Sequence, residues 1–294
     1  MFFIRCAVGA VIVYVALAGA AWLFQDRLAF PAPRAPLPDP VRIGLARTEV
    51  VQLVMKDGTQ LVGWFLPPAA DSHTPPALTP GLLWFYGNGE NIATIWPVLR
   101  EFQPPGVALL VLDYPGYGAS GGRATEPGLY EAADLAYAAL AARVDAARIF
   151  VYGRSLGSVV ATHVAATHAV RGLVLESPFT SAREMSRRHY ALLPRFILRM
   201  QLDNLNHMRR VQCPTLVFHG TSDRLVPIAM GRQVAAAAPG PVQFVSIEGA
   251  GHNDTYALGG RAYREKMWEF IKKTGTGDEG GGTSENRMHP SLVP

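Results

Sequence analysis

Three side chains in this 294-residue sequence have the types and the order that covalent acyl chemistry needs. Ser155 stands between two glycines in Gly153-Arg154-Ser155-Leu156-Gly157, directly after the apolar run Ile149-Phe150-Val151-Tyr152. Asp223 follows the run Thr215–Phe218, and His252 follows the run Val242–Ile247 in the Gly-rich stretch EGAGHNDTY. A serine hydroxyl is a poor nucleophile by itself. It needs a base to take its proton, and the base needs a partner that orients it and stabilises its charged form. A serine on a sharp strand-to-helix turn, flanked at two residues on either side by glycine, presents its Oγ at the top of a sheet. The acid and then the histidine are expected at later strand ends. Taken singly, each residue has a plainer reading: a tight turn, an N-cap near Pro227 and a loop histidine. Their common position at strand ends, in the required order, predicts Ser155 as nucleophile, His252 as base and Asp223 as the orienting acid.

Other histidines and acids fit less well. His163 and His168 fall within a helical pattern, His189 and His207 within an irregular segment, and His219 precedes the proposed acid in the chain. Glu176 also ends an apolar run and is the alternative acid; Asp254 is too near His252 in sequence to orient it easily. A developing oxyanion needs two N–H donors. Leu156, after the nucleophile, is predicted to supply one. Asn88, in the loop YGNGENIAT after the run Leu82–Tyr86, is predicted to supply the other, with Gly87 and Gly89 allowing close approach. Arg154 has no role legible from the sequence beyond a possible carboxylate partner.

These residues must be held by a scaffold. Continuous apolar runs at Leu82–Tyr86, Val107–Leu112, Ile149–Tyr152, Leu173–Leu175, Thr215–Phe218 and Val242–Ile247 alternate with helical patterns at Glu126–Arg143, Leu156–Ala169, Ile228–Ala238 and Arg261–Lys273. Such alternation predicts an α/β fold with a mostly parallel sheet covered by helices on both faces. A hairpin across Asp57-Gly58, from Val50–Met55 to Leu61–Leu66, adds antiparallel strands at one edge, for eight in all. Ligands in such sheets bind beyond the carboxyl ends of the strands, where Ser155, Asp223 and His252 fall.

Residues 48–273 are assigned to this domain, with 180–208, rich in Arg, Leu and aromatics, as a lid or an elaborated crossover helix. Residues 274–294 are Gly- and Ser/Thr-rich and are expected to be disordered. Cys6 to Phe24 carries no charge, close to the ~20 residues that cross a bilayer as a helix. Residues 1–25 are therefore read as an N-terminal membrane anchor, with a cleaved signal peptide as the alternative, because Ala18-Gly19-Ala20 resembles a cleavage site. Flanking charges barely orient it; an extracytoplasmic domain is weakly favoured. Residues 26–47, containing PAPRAPLPDP, form a stiff linker. Charges of both signs are spread along the chain for a net of +4, with no block of six like charges and no basic-aromatic stripe, which argues against nucleic acid. Cys6 and Cys213 offer no metal-ligand spacing, and no metal or cofactor is expected.

The motifs FYGNGENI, LDYPGYGASGG, YGRSLGSVVA, LVLESPFTS, LVFHGTSDRLVP and GAGHND together resemble the α/β-hydrolase superfamily, from about Phe24 to Lys273. The stretch Asp113–Gly122 and the N-terminal anchor resemble its Bem46-like branch of membrane-anchored serine hydrolases. The resemblance implies cleavage of ester or thioester bonds by a serine hydrolase, and the anchor and the lid segment point to lipidic as well as small-molecule acyl substrates at a membrane surface. Amide hydrolysis and a catalytically idle tethered protein are the alternatives. The sequence departs from the branch at Tyr86, where His usually precedes the oxyanion loop. It also lacks the Cys-rich N-terminus of eukaryotic relatives that remove palmitate from proteins.

Overall fold

The computed structural model describes residues 2–68, 78–190, 195–276 and 285–288. The strands are β1 (Glu49–Val54), β2 (Gln60–Leu66), β3 (Gly81–Phe85), β4 (Ala108–Leu112), β5 (Ile149–Arg154), β6 (Gly172–Glu176), β7 (Thr215–Gly220) and β8 (Val242–Ile247). A ninth short strand, β9 (Glu285–Met288), pairs parallel with β8. The order is β1-β2-β4-β3-β5-β6-β7-β8-β9, with β1 antiparallel to β2, β2 antiparallel to β4, and every pairing from β4 onward parallel. The expected eight strands are thus present, with one more drawn from the tail expected to lack structure. The rest of that tail beyond Thr276 lies outside the described residues.

The residues of β3, β4, β5, β6 and β7 are buried throughout, as befits strands covered on both faces. The Asp57-Gly58 turn closes as read: Gly58 takes φ 84° and Thr59 N–H donates to Asp57 Oδ1 at 2.8 Å. Helices follow the strands: α2 (Ile92–Phe102), α3 (Glu126–Ala141), α4 (Leu156–Thr167), α5 (Ala182–His189), α6 (Asn204–Met208), α7 (Ile228–Ala236) and α8 (Thr255–Thr276), the last kinked at Gly260. The sequence reading did not single out α2. It carries Pro97 within it and begins at a reciprocal cap, Asn91 accepting from Thr94 N–H while Thr94 accepts from Asn91 N–H.

An N-terminal helix α1 (Phe2–Ala29) precedes the domain and ends four residues beyond the span assigned to the anchor. Its apolar side chains are exposed, and it is the one described helix long and apolar enough to cross a membrane. The Pro-rich segment after it is stitched to the domain. Gly118 N–H donates to Pro33 O at 2.8 Å, and Arg34 reaches the carbonyls of Ser120 and Gly122 at 3.1 Å each.

Candidate active site

Ser155 joins β5 to α4 with φ 50° and ψ −113°, a left-handed conformation unusual for a residue with a Cβ. The turn is tight enough to require glycine on both sides. A Cβ at Gly153 would stand 2.2 Å from Gly157 O, and one at Gly157 would stand 2.2 Å from Phe85 O. Ser155 N–H donates to Glu176 O at 2.9 Å, pinning the elbow to the end of β6. Its side chain is only partly buried.

The structure brings the three predicted side chains together. His252 Nε2 lies 3.0 Å from Ser155 Oγ, and His252 Nδ1 lies 2.7 Å from Asp223 Oδ2. The other carboxyl oxygen of Asp223 accepts Val226 N–H at 2.8 Å. Burial pushes the Asp223 carboxyl up, but the His252 hydrogen bond and charge and the Val226 N–H outweigh it and hold the carboxyl below its ordinary value. His219, passed over on chain order, lies behind the acid. Its Nε2 is 2.8 Å from Val226 O and 3.6 Å from Asp223 Oδ2, and burial lowers its pKa. Asp254 does not orient His252; its Oδ1 accepts Gly251 N–H.

Glu176, the alternative acid, is engaged elsewhere. It accepts from Tyr152, Tyr263 and Thr255 hydroxyls and from Arg154 Nε at 3.1 Å. Arg154, for which the sequence offered no role, is 4% exposed and joins three loops. Its Nη1 donates to Glu90 Oε1 at 2.8 Å, and its Nη2 donates to His252 O at 2.6 Å and Asn253 Oδ1 at 3.0 Å. The Glu176 and Glu90 charges more than offset the burial that would lower its pKa, so the guanidinium stays charged. Its partners lie 22, 64 and 98 or more residues away in sequence; the only signal was a cation beside the nucleophile.

The loop carrying Asn88 abuts the start of α4, since Phe85 O and Tyr86 O are the atoms nearest a Cβ built on Gly157. Leu156 is the first residue of α4, so its N–H precedes the intrahelical ladder. The loop is held from several sides. Gly87 N–H donates to Glu90 Oε2 at 2.6 Å, Asn88 Nδ2 donates to Ala29 O at 2.7 Å, and Tyr117 OH donates to Asn88 Oδ1 at 2.6 Å. Tyr86 turns away from this loop into a buried network. Its hydroxyl donates to Asp113 Oδ1 at 3.1 Å and accepts Tyr114 N–H at 3.0 Å. Asp113 also accepts the N–H groups of Ile92 and Ala119; burial raises its pKa, while these bonds oppose the rise. Among the described residues no cluster of His, Cys, Asp or Glu could hold a metal ion.

Comparison with known proteins agrees with this architecture. Residues 81–206 match the family model described as serine aminopeptidase, S33. An uncharacterized protein of Mycobacterium tuberculosis is 34% identical, the alignment covering 92% of this chain and 97% of that one. The alpha/beta hydrolase domain-containing protein WAV2 of Arabidopsis thaliana is 30% identical, over 88% of this chain and 92% of its own. Among solved structures, an esterase of Pyrococcus furiosus superposes with a TM-score of 0.66 at 18% identity, over 83% of this chain and 98% of that one, which is a likeness of fold. The chain belongs to the α/β-hydrolase superfamily, and with it to the hydrolytic enzymes.

Proposed function

We propose that the protein is a serine hydrolase of carboxylic esters or thioesters acting through an acyl-enzyme. The 3.0 Å approach of His252 Nε2 to Ser155 Oγ, with Asp223 behind the ring, carries this reading. Ser155 Oγ attacks the acyl carbonyl carbon while His252 Nε2 takes the hydroxyl proton, and the N–H groups of Leu156 and Asn88 receive the negative charge that forms on the carbonyl oxygen. Collapse breaks the bond to the leaving group, to which His252 returns the proton. Water, deprotonated by His252, then attacks the acyl carbonyl; the bond to Ser155 Oγ breaks, His252 returns the proton to Oγ, and the acid leaves. Asp223 keeps Nδ1 protonated and stabilises the imidazolium at each step. No step in this scheme calls on a metal or cofactor.

The helix α1, with mean hydropathy 2.2 across its most apolar window, supports placement at a membrane, where an acyl substrate would be concentrated. The match to a family described as an aminopeptidase favours a second reading, amide cleavage by the same residues. Hydrolysis of p-nitrophenyl esters against aminoacyl p-nitroanilides separates the two. Turnover of esters, lost in Ser155→Ala, is the expected result, and turnover confined to the anilides would transfer the assignment to amides.

A further inference from the structure

The net positive charge of this chain is concentrated in one segment. Residues 180–210 hold seven arginines against Glu184 and Asp203, a net of +5 in a chain whose total is +4. Arg183, Arg187, Arg188, Arg199, Arg209 and Arg210 are exposed. Glu184 pairs with Arg187, so the segment's few acids leave most of this charge uncompensated.

The segment is fastened to the end of α1. Gln25, at 6% exposure the one buried residue of that helix, uses its side-chain amide to join the two. Its Oε1 accepts the N–H groups of Arg199 at 2.8 Å and Met200 at 3.4 Å, and its Nε2 donates to Ile197 O at 3.4 Å. The Arg199 guanidinium lies 4.9 Å over the Trp22 ring and 3.8 Å from Asp26. Counting from Phe2, the ~20 residues that cross the hydrocarbon core end close to Trp22, a residue type favoured at the interface. Phe196, 86% exposed, sits in the short turn Arg195–Ile197 at the same contact.

Contacts tie both elements to the neighbourhood of the candidate active site. His189 Nε2 is 2.9 Å from Leu225 O, two residues beyond Asp223, and the buried Asn204 donates from Nδ2 to Ser158 Oγ at 3.1 Å near the start of α4. Ala29 O, at the end of α1, holds Asn88.

We infer that the face formed by residues 182–189 and 196–210 docks on the anionic lipid headgroups of the bilayer that α1 enters, with Phe196 in the interface, so that Ser155 lies near the bilayer surface. Clustered arginines beside an apolar helix are attracted to anionic headgroups, and an aromatic ring gains by leaving water there. An acyl chain then reaches the nucleophile from the membrane without crossing bulk water. The inference rests on α1 being a bilayer span.

The test uses the full chain in vesicles of phosphatidylcholine, alone or with phosphatidylserine. A spin label is placed at Phe196→Cys, in a Cys6→Ser, Cys213→Ser background, and its collisions with oxygen and with an aqueous nickel chelate are compared with those of a label at Asp57→Cys in the β1–β2 turn. The expected result is several-fold protection from nickel at position 196 relative to 57. That protection should strengthen with phosphatidylserine, and weaken in high salt and in Arg209→Glu/Arg210→Glu. Turnover of a soluble ester, unchanged in these variants, shows that they are folded. Equal nickel access at 196 and 57 in both lipids overturns the inference, as does protection indifferent to phosphatidylserine and to the charge reversal, which would point to a protein partner. Failure of the anchor is distinguishable: the cell-derived protein would begin after Ala20 and leave the membrane in alkaline carbonate, whatever the label reports.

Discussion

Arg154 illustrates why the residue scale matters here. It does not approach Ser155 Oγ, yet it holds the backbone carbonyl of His252, the loop acid Glu90 and the buried Glu176 at once. Removing its charge would strand Glu176, and breaking a buried ion pair costs on the order of 3–5 kcal/mol. Misplacing His252 and the Asn88 loop, the base and the oxyanion donor of the proposed mechanism, would in addition slow the chemical step, where an error near 1 Å costs roughly 100-fold. Arg154→Met is therefore expected to lower the melting temperature and kcat together with KM little changed, and Arg154→Lys, which restores the charge but not the fork, to recover part of each. An effect on melting alone would reduce Arg154 to a structural residue. At Asp223, a carboxyl held below its ordinary value lends stability that is present above the unfolded-state pKa and is lost as pH falls through the folded one. Asp223 thus stays ionised to lower pH than an ordinary carboxyl does. The acid limb of kcat/KM is expected to show no inflection from Asp223 at or above the ordinary carboxyl pKa of 3.8. A carboxyl inflection there would contradict this account of the acid.

At the scale of elements, the elbow between β5 and α4 is the constraint from which the rest follows. Gly157 is packed against the backbone of Phe85, at the end of β3, and of Tyr86 rather than a flexible side chain, so that backbone must move if a Cβ is added. Gly157→Ala is expected to destabilise the fold by about 1–3 kcal/mol or more and to displace the Asn88 loop, measured as a lower thermal midpoint with loss of ester turnover. An unperturbed variant would mean that β3 and α4 are not so closely apposed. Much of this level was legible in the sequence. Buried strands of a parallel sheet announce themselves as unbroken apolar runs, and the glycines on either side of Ser155 carry the elbow in their spacing. Less legible were α2, where Pro97 masks a helical pattern, and the Tyr86–Asp113 and Arg154–Glu176 contacts. Those contacts depend on neighbouring strand ends coming into register, and no local pattern encodes it.

For the whole molecule, the sheet order brings the ends of β3, β5, β7 and β8 to one edge, and Ala29, His189 and Asn204 contact the loops and the helix start at that edge. The Pro-rich stretch from Pro31 to Pro40 read from sequence as a spacer; its bonds to Gly118, Ser120 and Gly122 make its first part a brace. The N-terminal helix, the brace and the α/β domain are therefore arranged around a single proposed nucleophile. The most direct test is to treat the full chain in its membrane with a fluorophosphonate and to map the adduct by peptide mass spectrometry. One phosphonyl group on Ser155, absent from a folded Ser155→Ala and greatly slowed in His252→Ala, is the predicted result. Labelling that persists in Ser155→Ala, or an adduct on another residue, would contradict the proposed mechanism.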